Sequence, residues 1–188
     1  MQTYILVGRS GCGKGTQLEL LQQKINKPNK TIAMGDIYRA FFKEEGYVRD
    51  IARDISVNQG KFQPDFITNS LFVSKALDVI DNKSVLFLEG YPRTSDQFKV
   101  VKELMEYTKR NNITVINLYV SAESAKQRLL DRGREDDTEK AIDSRLLEYE
   151  RTVVPMLEEI KKDSSINYIE IDGEPTVEEI HQDIMSKI

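Results

Sequence analysis

The stretch Gly8–Gln17, GRSGCGKGTQ, follows the apolar run Tyr4–Val7, YILV, and its reading decides the fold. Glycines at 8, 11 and 13 let a backbone curl until several N–H groups point at one phosphate. A helix starting just after the loop adds its dipole, and Lys14 adds a mobile positive charge for outer phosphates. The order strand, glycine-rich loop, lysine, helix is the order this mechanism requires. Gly15 stands where a Ser or Thr hydroxyl usually meets magnesium, and Thr16 follows it. Cys12, inside the loop, reads as a small filler rather than a nucleophile.

Outward from this loop, five segments rich in β-branched or aromatic residues read as strands: Thr3–Val7, Thr31–Met34, Val85–Leu88, Thr114–Val120 and Asn167–Ile171. Helical spacing joins Leu18, Leu21 and Ile25. It also joins Phe66, Ser70, Leu71, Leu77 and Ile80 after Pro64, and Val177, Ile180 and Ile184 after Thr176 and Glu179. The run from Asp137 to Lys162 carries Ile142, Leu146, Val153, Met156, Leu157 and Ile160, with Pro155 predicting a kink. Alternating strands and helices imply an α/β fold, a parallel sheet covered by helices on both faces. The richest loops, Gly8–Gly13, Gly35–Arg39 and Glu89–Thr94, follow strand ends, where ligands bind in such sheets; Arg132–Thr138 lies one helix further on.

Glu89 closes a strand, where a carboxylate can hold magnesium through water. Arg93 offers a planar fork suited to phosphate. Thr94 and Gln97 fit a capping box, and Gln97 is equally compatible with a contact to a base. Arg128 and Arg132 share a helix face, with Arg134 and Arg145 beyond them. Such cations either surround an anion or pair with Asp131, Glu135, Asp136 and Asp137; Asp136 with Glu139 also fits a helix cap. His181, beside an apolar stripe, reads as structural.

The chain has 188 residues, 27 basic against 31 acidic, for a net charge of -4. With no block of like charge, nonspecific binding to nucleic acid or an acidic membrane is not expected, and small molecules are the expected partners. One cysteine and one histidine leave no cysteine-cluster zinc site and no Ser-His-Asp or Cys-His arrangement. No stretch approaches the roughly 20 apolar residues of a membrane span. A cytoplasmic chain is expected.

Six ordered motifs, GRSGCGKGTQ, GDIYR (35–39), GKFQPD (60–65), EGYPRTSDQ (89–97), RLLDRGREDD (128–137) and RLLEYERTVVP (145–155), together resemble the nucleoside monophosphate kinases, and the adenylate kinases most closely. The resemblance implies a P-loop NTPase fold with strand order 2-3-1-4-5. It implies one domain over 1–188, with a monophosphate-binding segment at about 35–65, a minimal lid at about 130–138, and a monomeric state. In this family glycine commonly follows the lysine, so Gly15 is expected, and Thr16 is not assigned as a direct metal ligand.

The roles it implies are ATP binding by Gly11, Cys12, Gly13, Lys14, Gly15, Thr16 and Arg128. AMP binding falls to Gly35, Asp36, Arg39, Gln63, Gly90, Arg93 and Gln97. Catalysis falls to Lys14, Arg93, Arg132, Arg134 and Arg145, with Mg2+ held by Glu89 through water. A glutamine at 97 reads adenine in this family, whereas related UMP/CMP kinases usually carry asparagine there. Three departures stand out: Glu89 replaces the usual Asp, Gln63 and Met34 replace the usual residues near the acceptor, and only Gly133 separates Arg132 from Arg134. The alternatives are a UMP/CMP kinase or a nucleotide-sensing module without turnover.

Overall fold

The computed structural model describes residues 1–134 and 136–188. Five strands, β1 (Gln2–Gly8), β2 (Asn29–Ala33), β3 (Val85–Glu89), β4 (Asn112–Tyr119) and β5 (Ile166–Asp172), form one parallel sheet in the order β2-β3-β1-β4-β5. The helices are α1 (Lys14–Lys24), α2 (Met34–Phe41), α3 (Tyr47–Arg53), α4 (Asp65–Val79), α5 (Ser95–Tyr107), α6 (Ala122–Arg132), α7 (Glu139–Glu148), α8 (Val154–Lys162) and α9 (Val177–Lys187). Two π-helical turns, Asp54–Asn58 and Tyr149–Val153, follow α3 and α7.

Successive strand residues feed two cores, because side chains alternate across a sheet. Ile5, Val7, Leu86, Leu88 and Val115 pack with Phe72 of α4, Val101 of α5 and Ile160 of α8 on one face. Leu6, Phe87, Ile116 and Leu118 pack with Leu21 of α1, Ala125 of α6 and Ile184 of α9 on the other. With both faces covered, the central strands are apolar nearly throughout, the pattern that gives parallel strands their continuous hydrophobic runs.

All five expected strands are present, each within a few residues of its expected limits. Met34 differs in role: it opens α2 rather than closing β2, and its side chain is buried in the first core. Helix α4 exists, but the expected stripe is only partly covered: Leu71 and Ile80 pack against the first core. Phe66 and Leu77 are 70% and 71% exposed, whereas Thr68, Phe72 and Ala76 are buried. The covered stripe centres on Phe72, with the smaller Thr68 and Ala76 one turn to either side. In the long run 137–162, α8 begins one residue before Pro155, and the widened turn Tyr149–Val153 precedes it. Proline lacks an N–H and its ring crowds the carbonyl four residues back, so a regular α-helical turn cannot run through it.

Thr176 and Glu179 complete a reciprocal capping box on α9. The expected cap by Asp136 and Glu139 is replaced by Thr138, whose hydroxyl accepts the Ala141 N–H at 3.3 Å. His181 lies half-buried on α9, and burial followed by the Lys24 charge lowers its pKa.

Candidate active site

The sheet reverses its winding around β1, whose neighbours are β3 and β4, so the loop after β1 opens at the crevice where such sheets bind ligands. Two glycines make this loop possible. A side chain at Gly8 (φ +147) would sit 2.4 Å from the Leu118 carbonyl oxygen, and one at Gly11 (φ +86) would sit 2.7 Å from that of Ala125. At Gly13 and Gly15 an added Cβ would meet nothing within 4 Å. The loop is thus packed on one side and open on the other.

Helix α1 starts beyond Gly13 with no side-chain cap, leaving N–H donors of its first turn for a ligand. Lys14 Nζ donates to the carbonyls of Gly8 and Arg9, each at 2.8 Å, and lies 3.5 Å from Cys12 Sγ. Cys12 is 1% exposed and belongs to the second core. Thr16 is exposed at the start of α1.

Lys14 shares a cleft with Phe62, Gly90, Arg93, Arg145 and Tyr149. The Arg93 guanidinium lies 4.5 Å from the Phe62 ring centroid, and its Nε donates to Gly90 O at 3.0 Å. Burial lowers its pKa and the Glu89 carboxylate opposes that shift. Glu89 itself ends β3, in register with Leu6 and Ala33. Tyr91, stacked on Phe72 at 3.9 Å and donating to Asn69 Oδ1 at 2.8 Å, anchors the loop between Gly90 and Arg93.

Gln97 is 2% exposed and heavily used. Its Oε1 accepts the Arg93 N–H at 2.7 Å, and its Nε2 donates to Asp65 Oδ1 at 2.7 Å. Its backbone N–H donates to Thr94 Oγ1 at 3.1 Å, the expected N-cap, and the Thr94 hydroxyl in turn donates to Asp65 Oδ2 at 2.9 Å. The side-chain half of the box is displaced by one residue, onto Arg93 rather than Thr94. Asp65 therefore ties Thr94 and Gln97, at the start of α5, to α4, a role hidden in the sequence because an acid in a first helical turn already has an explanation there.

Gln63 is 6% exposed, and its amide donates to Ala52 O and Ser56 Oγ, each at 2.7 Å. Asp36 and Arg39 form an exposed pair at 2.5 Å on α2, beside Gly35. Gln63, Asp36 and Arg39 do not line the cleft around Lys14. The segment carrying Gln63 instead abuts α7: a Cβ on Gly60 would lie 2.3 Å from the Ala141 carbonyl oxygen.

Two arginines of the second half, Arg132 and Arg145, converge on one carboxylate. Asp137, whose side chain is fully buried, accepts from Arg132 Nε at 2.9 Å and Nη2 at 2.8 Å, and from Arg145 Nη1 at 3.0 Å. Burial pushes its pKa up, but the hydrogen bonds and charge of Arg132, with the Arg134 N–H and Arg145, outweigh that and hold the carboxyl below its usual range. Arg145 also donates to Asp136 Oδ2 at 2.6 Å. The Arg134 side chain is exposed, and α6 ends at Arg132 against Gly133. Arg128 donates to Gly173 O at 2.9 Å and pairs with Glu174 at 3.6 Å, on the loop between β5 and α9. Asp131 instead accepts from Gln127, and Glu135 lies outside the described residues.

A family model described as adenylate kinase matches residues 6–165. The chain belongs to the adenylate kinase family. An adenylate kinase of Corynebacterium aurimucosum is 35% identical over 179 residues, covering 95% of this chain and 94% of the relative. Adenylate kinase 1 of a Nostoc species is 31% identical over 188 residues, covering 100% and 99%. An adenylate kinase of Leptospira biflexa is 31% identical over 192 residues, covering both chains in full. The chain is thus an enzyme of this family with the P-loop NTPase fold. No described helix is long and apolar enough to cross a membrane.

Proposed function

We propose that this chain transfers the γ-phosphoryl group of Mg-ATP reversibly to AMP, forming two ADP. The observation that carries the proposal is the convergence of Lys14, Arg93 and Arg145 on one cleft at the carboxyl end of β1. The acceptor is already a phosphate oxyanion, so no general base is needed. Catalysis is positioning plus neutralisation of charge spread over the transferring oxygens.

In this proposal the loop residues Gly11, Cys12, Gly13, Gly15 and Thr16, with Lys14, hold the donor phosphates, and Arg128 lies against the donor base. Gly35, Asp36, Arg39, Gln63, Gly90, Arg93 and Gln97 serve the acceptor. For Arg39 and Gln63 to reach it, the segment 35–65 must move toward the cleft, and 130–138 must act as a short lid. Arg132, Arg134 and Arg145 gather around the transferring group, with Asp136 and Asp137 occupying two of them beforehand.

Among the described residues no group of three or more His, Cys, Asp or Glu could cage a metal. Glu89, at the carboxyl end of β3 and next to Gly90 of the cleft, fits magnesium, which keeps most of its waters and binds through substrate phosphates and one or two carboxylates. Glu89, one methylene longer than the usual Asp, would hold it through water. When bound, the ion would neutralise part of the charge on the substrate phosphates. A cytoplasmic setting is proposed on the sequence reading, in which the lone Cys12 has no partner for an intrachain disulfide. A monomer is proposed on the family resemblance.

Phosphorus NMR of the purified protein with magnesium, ATP and one of AMP, CMP, UMP, GMP or dTMP tests this. Rapid ADP formation with AMP, and disproportionation of ADP alone into ATP and AMP, are expected. Faster reaction with CMP or UMP would reassign the acceptor. Binding of ATP with no transfer in any tube would leave a nucleotide sensor.

A further inference from the structure

Arg9 lies inside the phosphate loop, yet its backbone and its side chain serve different parts of the molecule. Its carbonyl accepts Lys14 Nζ at 2.8 Å. Its guanidinium, on a side chain only 11% exposed, donates from Nη1 to Val120 O at 2.6 Å and from Nη2 to Glu150. The same guanidinium lies 4.8 Å from the ring centroid of Tyr149 and 5.5 Å from that of Tyr119. Tyr119 ends β4, and Tyr149 and Glu150 open the π-helical turn Tyr149–Val153.

Arg145 stands one helical turn before Tyr149, on α7, and both line the cleft with Lys14. The π-helical turn ahead of Pro155 is the joint between α7 and α8, and an i→i+5 turn beside a proline is where a helix axis changes direction. Arg9 grips that joint from below the loop that holds Lys14. No neutral side chain could replace both the pair with Glu150 and the stacking between two aromatic rings.

We propose that Arg9 is a positioning residue that fixes the arm carrying Arg145 relative to Lys14, so that both cations close on the same phosphoryl group. The proposal rests on the phosphoryl-transfer function above. It concerns a residue that contributes by geometry, since its guanidinium is taken up by Val120, Glu150 and the two rings. Effects of this kind show in turnover, because a misplacement of about 1 Å is enough to slow chemistry strongly without abolishing binding.

Arg9→Met keeps reach and removes both charge and fork. It is expected to lower kcat about tenfold while changing KM for ATP and AMP by less than about twofold. In an Arg145→Ala background the same substitution should cost less than about twofold, because its route of action is gone. Glu150→Gln, at an exposed residue that does not endanger folding, should show the same pattern with a smaller loss. Hydrogen exchange of the Tyr149–Val153 amides should quicken in both variants without nucleotide. An equal kcat loss in both backgrounds, a change confined to KM for ATP, or unaltered kcat would overturn the proposal. Should the wild-type protein form no ADP, the transfer function falls first. Exchange at Tyr149–Val153 then still decides whether Arg9 holds the joint, and unchanged exchange rejects it.

Discussion

Arg110 at one end of the sheet and Arg132 with Arg145 at the other rest on different acceptors. At the amino ends of the strands, Arg110 is 1% exposed and donates to backbone carbonyls, Ser84 O at 2.6 Å, Gln2 O at 3.2 Å and Asp81 O at 3.4 Å. Near the carboxyl ends, Arg132 and Arg145 rest on the carboxylates of Asp136 and Asp137. A carbonyl fixed in a sheet is a neutral partner that cannot leave. A carboxylate is an anion with the charge and bidentate shape that a phosphate also offers. The first arrangement makes an arginine part of the scaffold; the second keeps an arginine oriented for an anion that can replace or join the carboxylate.

The comparison breaks if site arginines prove to be scaffold. Arg93→Ala and Arg134→Ala should each lower kcat by about a thousandfold, the scale of an arginine that stabilises a transferring phosphoryl group. Their thermal unfolding midpoints should move little by comparison. Steady-state kinetics beside calorimetry checks this, and a folded variant with wild-type turnover would remove that residue from the chemistry.

Asp137→Asn tests whether the carboxylate orients rather than merely neutralises. The amide can still accept from one arginine, but it loses the charge that gathers Arg132 and Arg145, and its NH2 opposes a donor. Turnover should fall by about ten- to a hundredfold, as expected when reacting groups are displaced by about 1 Å. Kinetics with saturating ATP and AMP measures it. An unchanged kcat would show that substrate phosphates alone organise the arginines.

Arg110→Met should give the reverse pattern. Losing the guanidinium leaves buried carbonyls unpaired, a cost of about 1–3 kcal/mol. In a chain of this size each kcal/mol lowers the unfolding midpoint by about 2–4 °C. Turnover at 25 °C should stay at the wild-type level, because Arg110 lies at the opposite end of the strands from Lys14. A loss of kcat exceeding the loss of folded protein would mean that the two ends are coupled.

What the sequence disclosed follows the range of the interactions involved. The phosphate loop is local: glycines, lysine and helix start are contiguous between Gly8 and Thr16, so both its conformation and its place after β1 were readable. The strands were readable for a similar reason, since Val85–Leu88 is apolar on both faces. The buried face of α4 was only partly readable, because large apolar residues lie on more than one side, Phe66 and Leu77 exposed and Phe72 buried, and only the approach of the sheet decides which stripe is covered. The arginines could be picked out as cations, but Asp137 had no mark distinguishing it from Asp131 or Asp136. Its role emerges only when α6 and α7 bring Arg132 and Arg145 to the same carboxylate. Asp65 was concealed likewise, since its partners Thr94 and Gln97 lie 29 and 32 residues away. Arg9 is in the most legible motif of the chain, yet its side-chain partners lie across the fold at Val120 and Glu150.

The smallest expected effect separates the two ends by acid. Asp81 accepts the N–H groups of Lys83 and Ser84 and the Ser84 hydroxyl, which hold its pKa down to about 2. Asp137 is also held below the usual range, with burial outweighed by Arg132, the Arg134 N–H and Arg145. For both groups the folded pKa lies below the unfolded value of about 3.9. Each therefore contributes stability that is fully present above that value and is lost as pH falls through the folded pKa. Asp81→Asn should flatten the acid limb of stability between about pH 4 and pH 2 while leaving turnover at pH 7 unchanged. Asp137→Asn should flatten the same limb and also slow turnover at pH 7. Urea unfolding across the acid range, beside kinetics at neutral pH, makes the comparison. If Asp81→Asn slowed turnover, the turn under Arg110 would belong to the active site; if Asp137→Asn altered only the acid limb, its carboxylate would be scaffold like the carbonyls that hold Arg110.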